Sequence, residues 1–411
     1  RFGQAMALQD LGKTKQSIDL LSSIAEQYPN GDMLAESIWR VAKHYIDTRQ
    51  YEEAKNVLRR ITTRFEQGDD GERALYWLAR CHHLSGDSSA AAATYEQSAQ
   101  HYPLTYHGML ALYRLRELRP NRARSILRQS ITTSLMPGSI MKRTARSENG
   151  LPNNTYAKQL LTFATLGLSR SSKHAFDQLK KSLAKQQLLD MAGLLDQAGL
   201  WQYSYKLAFS SGREFLRKYP SAATYEQWRI AYPPTYDPVV TKQAKSTSAS
   251  SALIRAIMRE ESRYNPSVES YANAVGLMQL ILPTAKTVGA ALHIPKSSIN
   301  RSSLKDPHLN IKLGSTYVGG RVEEFRHVAL AISAYNAGSA AVNKWKKIAI
   351  ASHHEDARSN SLGIDTFVEN IPYKQTRGYT KRVLKSYFRY WVLYQQTPDA
   401  PLPIFPLSVP Q

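Results

Sequence analysis

One repeat constrains this chain more than any other feature. Glu26-Gln-Tyr28-Pro returns in looser form as Thr63-Arg-Phe65-Glu and as Gln100-His-Tyr102-Pro, 37 residues apart each time. Trp39 and Trp77, Tyr45 and His83, and Ala54 and Ala92 repeat at 38. A period of that length is two amphipathic helices, a unit that cannot bury its apolar face alone and must stack on the next. The turns within units fall near Asp47-Thr-Arg-Gln and Ser85-Gly-Asp-Ser. The first unit opens inside a helix, at Arg1-Phe-Gly-Gln-Ala-Met-Ala-Leu, which suggests further repeats upstream.

From about Pro103 to Pro234 the strict period fades, while helical patterns persist through Tyr156–Leu168, His174–Leu183 and Leu188–Leu207. Pro137–Asn154, rich in Ser, Gly, Asn and basic residues, reads as a loop. Tyr232-Pro-Pro-Thr-Tyr-Asp-Pro238 stops helical continuation, and Lys242–Ser250 is polar. The spacing predicts a domain junction there: an arm over 1–235, a second domain over 236–395, and a Pro-rich tail over 396–411, extended or wrapped on the surface.

The second domain opens with an unusual helix. Ser251-Ala-Leu-Ile-Arg-Ala-Ile-Met-Arg-Glu-Glu-Ser-Arg-Tyr-Asn-Pro266 begins at a serine cap and is stopped by the restriction Pro266 places on Asn265. At about 100° per residue, Arg255, Arg259 and Arg263 form one solvated stripe, opposite Leu253, Ile254, Ile257 and Met258. Glu261 falls roughly 10° from the centre of the apolar face, and Glu260 lies toward its flank, about 90° away. A carboxyl against apolar neighbours has its charged form disfavoured and can deliver a proton near neutral pH. The bland alternative is a surface glutamate or an arginine's partner.

Three more segments carry chemistry: Tyr271-Ala-Asn-Ala-Val-Gly-Leu-Met-Gln-Leu280, Ala334-Tyr-Asn-Ala-Gly338 and Glu369-Asn-Ile-Pro-Tyr-Lys-Gln-Thr-Arg-Gly-Tyr379. Gly276 permits close backbone approach or a positive φ, and Gln279 offers a donor and an acceptor to a polar substrate such as an acetamido sugar. Met278 suits a substrate groove or plain core packing. Tyr335 beside Asn336 suits a sugar, or a helix-ending turn closed by Gly338. Tyr379 places a phenol near Glu261, or is a buried tyrosine with a satisfied hydroxyl.

In this order, with Glu261-Ser262 first, the segments resemble the signature of the soluble lytic murein transglycosylases, over about 160 residues from near Tyr236 to near Tyr394. The resemblance implies an all-α protein: a tetratricopeptide-like superhelix followed by a lysozyme-like, mainly helical catalytic domain. It implies cleavage of the β-1,4 bond between N-acetylmuramic acid and N-acetylglucosamine in peptidoglycan, leaving a 1,6-anhydro end. Glu261 is then the single acid and base, with Ser262, Met278, Gln279, Tyr335, Asn336, Gln375 and Tyr379 around the substrate. No cofactor or metal is implied, and the location is the periplasm or cell envelope. Where the family stretch commonly reads Ile-Pro-aromatic-x-Glu-Thr-Arg-Gly-Tyr, this chain has Gln375 in place of the glutamate. The amide keeps hydrogen-bonding capacity and loses a charge. No acidic residue lies between Glu269 and Asp306, which leaves few local candidates for a second catalytic carboxylate.

Charge fits that reading. The 54 basic against 33 acidic residues give +21, divided as +10 over 1–240 and +11 over 241–411, so an anionic partner is expected. Nucleic acid is disfavoured, since no zinc-finger spacing, aromatic RNA-binding signature or Lys/Arg run is present; carboxylate-bearing peptidoglycan fits better. The arm adds possible protein partners. Cys81 is the only cysteine, which excludes an intrachain disulfide and a cysteine-based metal site, and no apolar run is long enough for a transmembrane segment. Two other activities share these residues: a goose-type muramidase with water as nucleophile, and a degenerate glycan-binding scaffold with protein-binding repeats.

Overall fold

The computed structural model describes residues 1–131, 154–221, 223–354, 362–394 and 402–410. It divides into two compact units, Arg1–Gln129 and Ser130–Gln411. The loop expected over Pro137–Asn154 lies outside the described residues except for Asn154, which caps the helix that follows.

The first unit is a run of helical hairpins: α1 (Phe2–Asp10), α2 (Thr14–Gln27), α3 (Leu34–Asp47), α4 (Tyr51–Arg64), α5 (Asp69–Leu84), α6 (Ser88–His101), α7 (Tyr106–Leu118) and the start of α8 (Pro120–Ile131). The repeated aromatics have one local job. Tyr28, Phe65 and Tyr102 are the C-terminal caps of α2, α4 and α6, at φ −126°, −117° and −123°. Each closes one helix pair, so the sequence period is the structural unit. Between α5 and α6 the turn uses Gly86 at φ 91°, and Asp87 caps α6 by accepting from the Ala90 N–H at 2.9 Å. Trp39 and Trp77, equivalent positions of adjacent units, meet at 6.0 Å between ring centroids, with Arg73 over Trp39.

The second unit begins with α9 (Thr155–Thr165), α10 (Ser169–Ser182), α11 (Lys185–Gln197), α12 (Trp201–Ser211) and α13 (Tyr225–Ala231), around a core that includes Leu160, Phe176, Leu179, Leu195 and Leu207. The pattern over Leu188–Leu207 is two helices, because Gly199 turns at φ 74°. The residues expected to form a junction are built into this unit. Tyr390 donates its hydroxyl to the Pro233 carbonyl at 3.1 Å and Tyr394 donates to the Tyr232 carbonyl at 2.7 Å. Half of polar Lys242–Ser250 belongs to a helix, α14 (Asp237–Ser246), with Val240 and Gln243 buried. Tyr232, Pro233 and Thr235 are buried at this corner, and position 235/236 falls inside the second unit.

Around α15 (Ser251–Ser262) stand a two-stranded ribbon, β1 (Ala274–Val275) with β2 (Leu280–Ile281), then α16 (Leu282–Ala291), α17 (Pro307–Phe325), α18 (Val328–Ala337), α19 (Ser339–His354), α20 (Ile364–Glu369) and α21 (Lys374–Tyr394). The all-helical expectation holds, the ribbon being the one small sheet among the described residues. Ser250 caps α15 through the Leu253 N–H, and Arg263 in the left-handed region ends it. The solvated arginine stripe is not found: Arg255 is 3% and Arg259 7% exposed, and Arg263 alone faces solvent. Arg255 reaches Asp237 and the Thr235 carbonyl, while Arg259 lies over the Tyr232 ring at 4.2 Å. Aromatic faces and carboxylates from neighbouring elements replace water there.

Residues 402–410 of the tail dock on the fold. Leu402, Phe405 and Val409 are buried, the Ile364 N–H donates to the Leu407 carbonyl at 3.0 Å, and Val409 N–H donates to Leu362 at 2.8 Å. His327 accepts from the Ala329 N–H at Nδ1 and so donates from Nε2 to the Pro406 carbonyl at 2.9 Å.

Candidate active site

Glu261 is delivered by the last turn of α15, a helix whose residues 252–259 are all buried and which packs along α21. Tyr379, from the first turns of α21, donates its hydroxyl to Glu261 Oε1 at 2.7 Å. Burial dominates the electrostatics and pushes the Glu261 carboxyl up to about 7; the Tyr379 hydrogen bond opposes this, neighbouring Glu260 adds to it, and Arg382 opposes it. A carboxyl so placed holds a proton near neutral pH and can also take one back. Burial, followed by the Glu261 charge, holds the phenols of Tyr379 and Tyr335 well above the usual tyrosine range, so both remain neutral donors.

The segment opposite is fixed from below by a residue that sequence reasoning missed. Buried Asn310 of α17 accepts from the Met278 N–H at 2.8 Å and donates to the Val275 and Leu304 carbonyls at 3.0 and 2.8 Å. Gly276 turns at φ 83°, and a β-carbon there would collide with Asn310 and the Leu304 carbonyl. The glycine is thus required for φ and for space. Met278 is fully buried against Gly314, so its side chain is core, while its carbonyl accepts from the Tyr335 hydroxyl at 2.7 Å.

Gln279 is left-handed at φ 48°, and its Nε2 donates to the Val268 and Gly276 carbonyls at 3.1 and 2.9 Å. Both bonds use the nitrogen, which leaves Oε1 to accept from a ligand. Ser262 donates to the Met258 carbonyl of its own helix at 2.9 Å. Asn336, at the end of α18 before Gly338 at φ 82°, accepts from Thr376 Oγ1 at 2.8 Å through Oδ1. Gln375 is exposed one helical turn before Tyr379, on the same side of α21. The structure thus joins Tyr379 to Glu261, Tyr335 to Met278, and Asn336 to α21. Ser262 and Gln279 are tied to local backbone, and Gln375 stands at the solvent edge. Among the described residues no group of three or more His, Cys, Asp or Glu side chains could hold a metal ion, and no helix is long and apolar enough to cross a membrane.

Among the described residues the second unit is helical and nearly sheetless, with the proton-holding Glu261 at the end of α15, a fold of the lysozyme-like kind. Comparison with known proteins narrows this. Residues 238–357 match the Transglycosylase SLT domain, and residues 1–31 and 73–105 match the tetratricopeptide repeat. A putative soluble lytic murein transglycosylase of Haemophilus influenzae is 32% identical over 173 residues, 42% of this chain and 27% of that protein. The soluble lytic murein transglycosylase of Salmonella typhimurium is 34% identical over 167 residues, 39% of this chain and 24% of that protein. The matched stretch thus spans only about a quarter of those relatives' length. Among solved structures, an inactive mutant of lytic transglycosylase Slt from Pseudomonas aeruginosa superposes with TM-score 0.65 at 20% identity, over 92% of this chain and 54% of that one. The 70-kDa soluble lytic transglycosylase in complex with bulgecin A gives 0.62 at 20%, over 87% and 51%. Residues 238–357 of this chain therefore form a transglycosylase SLT domain, homologous to that of soluble lytic murein transglycosylases, and the chain resembles in fold about half of each of the two solved structures.

Proposed function

We propose that this protein is a lytic transglycosylase that cleaves the β-1,4 bond between N-acetylmuramic acid and N-acetylglucosamine in peptidoglycan and leaves 1,6-anhydro ends. The observation that carries the reading is Glu261: a buried carboxyl raised to about 7 and held by Tyr379. Protonated Glu261 gives its proton to the glycosidic oxygen, which leaves with the bonding pair. The resulting carboxylate accepts the proton of the muramoyl 6-hydroxyl, whose oxygen closes on the anomeric carbon. Atoms balance without water, and Glu261 ends protonated as it began. Tyr379 steadies the carboxylate between the two steps, and Gln279 Oε1 and the Tyr335–Asn336 corner suit an acetamido sugar.

The neighbouring carboxylate favours one-acid chemistry over a two-carboxylate muramidase. Glu260 is occupied by Arg259 and Ser386, at 2.6 Å each, and does not present a free second base. In this reading 236–395 is the catalytic part of the second unit, the helical repeats before it offer surface to protein partners, and the site of action is the periplasm or envelope. Mass spectrometry of muropeptides released from purified sacculi tests it. Anhydro ends are expected from the native protein and none from Glu261→Gln; reducing ends would establish a muramidase instead, and no release at all a glycan-binding scaffold.

A further inference from the structure

Helical phase alone sets Glu260 aside from the chemistry. Its surroundings do not. The side chain is 12% exposed, Oε1 accepts from Arg259 Nη1 and Ser386 Oγ at 2.6 Å each, and Oε2 faces Arg382 Nε at 3.8 Å. Glu260 thus has two guanidinium counter-ions, next in sequence to Glu261, which accepts from the Tyr379 hydroxyl and feels Arg382 only as the smallest of its electrostatic influences. Arg259 is further committed, its guanidinium over the Tyr232 ring at 4.2 Å and near Tyr205 and Phe209. Arg382 is half exposed and three residues beyond Tyr379 on α21, so it stands one turn from the phenol that holds Glu261.

The charged and titratable groups around Glu261 are few. Its own helix supplies Glu260; α21 supplies Tyr379 and Arg382; α18 supplies Tyr335, backed by Tyr317 of α17; and Asp237 of α14 is taken up by Arg255. Among the described residues that act on Glu261, Arg382 is the cation, and its side chain is half exposed. A guanidinium paired with a carboxylate stabilises the charged form strongly.

We propose that Glu260 is a positioning residue for the reaction: it engages Arg259 and Arg382 so that neither pairs with Glu261, which leaves the Glu261 carboxyl able to carry its proton. This rests on the reading of Glu261 as the acid. Removal of Glu260 acts twice in one direction, since a negative neighbour disappears and Arg382 is released toward Glu261. Removal of Arg382 acts the other way.

The test is the pH dependence of turnover on sacculi for the native protein, Glu260→Gln, Arg382→Gln and the double variant, beside a carbon-13 titration of the Glu261 carboxyl in the resting proteins. Glu260→Gln is expected to move the alkaline limb and the Glu261 titration down by about one pH unit, with about a fivefold loss at pH 7 that is mostly recovered at pH 5. Glu260→Asp should keep the native profile, and adding Arg382→Gln to Glu260→Gln should bring the limb back up. A loss in Glu260→Gln that is equal at every pH, with the Glu261 titration unmoved, overturns the proposal and leaves a structural ion pair. Should Glu260→Gln fail to fold, Arg382→Gln alone must still move the titration upward, and no movement is equally fatal. The titration reads Glu261 without substrate, so a shift there in a protein that cleaves nothing would sink the proposed function and spare this inference.

Discussion

Glu261 is an expensive residue to fold around, and that cost has a measurable sign. Its folded carboxyl sits near 7 against an ordinary value of 4.5, so the folded state retains a proton that the unfolded chain releases as pH rises between those values. Stability is therefore lost as pH rises through that window, and above it the full penalty, up to about 3 kcal/mol, is present. Glu261→Gln should consequently be more stable than the native protein at pH 8 and no more stable at pH 4, as read by chemical denaturation at each pH. Equal stability at both would mean that Glu261 is solvated. Tyr379→Phe removes a hydrogen bond that favours the carboxylate. The alkaline limb of turnover should move up while kcat falls about tenfold, since a hydrogen bond to a charged group is worth roughly 1.5 kcal/mol or more. A limb that stays in place would disconnect the phenol from the acid.

At the scale of elements, what was legible in sequence was what periodicity or a local cap encodes. The phase of α15 put Glu261 on the apolar face, where burial raises its carboxyl, and the expected serine cap is Ser250, one residue before the segment read as the helix. The same phase misread Arg255 and Arg259, because a helical pattern registers polarity and cannot register partners contributed from Tyr232 and Asp237. Asn310 left no signal for the same reason: it lies 32 residues beyond the Met278 N–H it holds. Its importance follows from its bonds, which end on three buried backbone groups around Gly276–Gln279. Asn310→Ala should destabilise the fold by about 3 kcal/mol, the order expected when buried polar groups lose their partners, and should raise KM by loosening that loop. Denaturation midpoints and kcat/KM measured together check this, and a stable variant with native KM would show that the loop is held by Gly276 and Met278 packing alone. Asn310→Asp, which keeps the acceptor for Met278 but turns a carboxylate oxygen toward the Val275 and Leu304 carbonyls, should be at least as destabilising.

For the whole molecule, the repeat was readable because each period is closed by the same kind of cap, at Tyr28, Phe65 and Tyr102, a signal local to the chain. The packing of residues 155–394 into one unit was not, since Tyr390 and Tyr394 reach back 157 and 162 residues to the Pro233 and Tyr232 carbonyls. Charge is a property of the whole chain. The excess of +21 is spread over both halves, so its attraction for an anionic polymer does not depend on one patch, and it acts at longer range than any contact with the residues around Glu261. At physiological ionic strength such attraction is screened beyond about 8 Å, whereas hydrogen bonds and packing around Glu261 are not. Raising salt from 0.05 to 0.5 M should therefore lower affinity for sacculi and raise KM, with kcat nearly constant, because Glu261 and Tyr379 are shielded from the added ions. Sedimentation with sacculi and initial rates across that salt series separate the two. A fall in kcat with unchanged binding would mean that ions act inside the site, and salt-insensitive binding would assign recognition to the residues around Glu261 rather than to the basic surface.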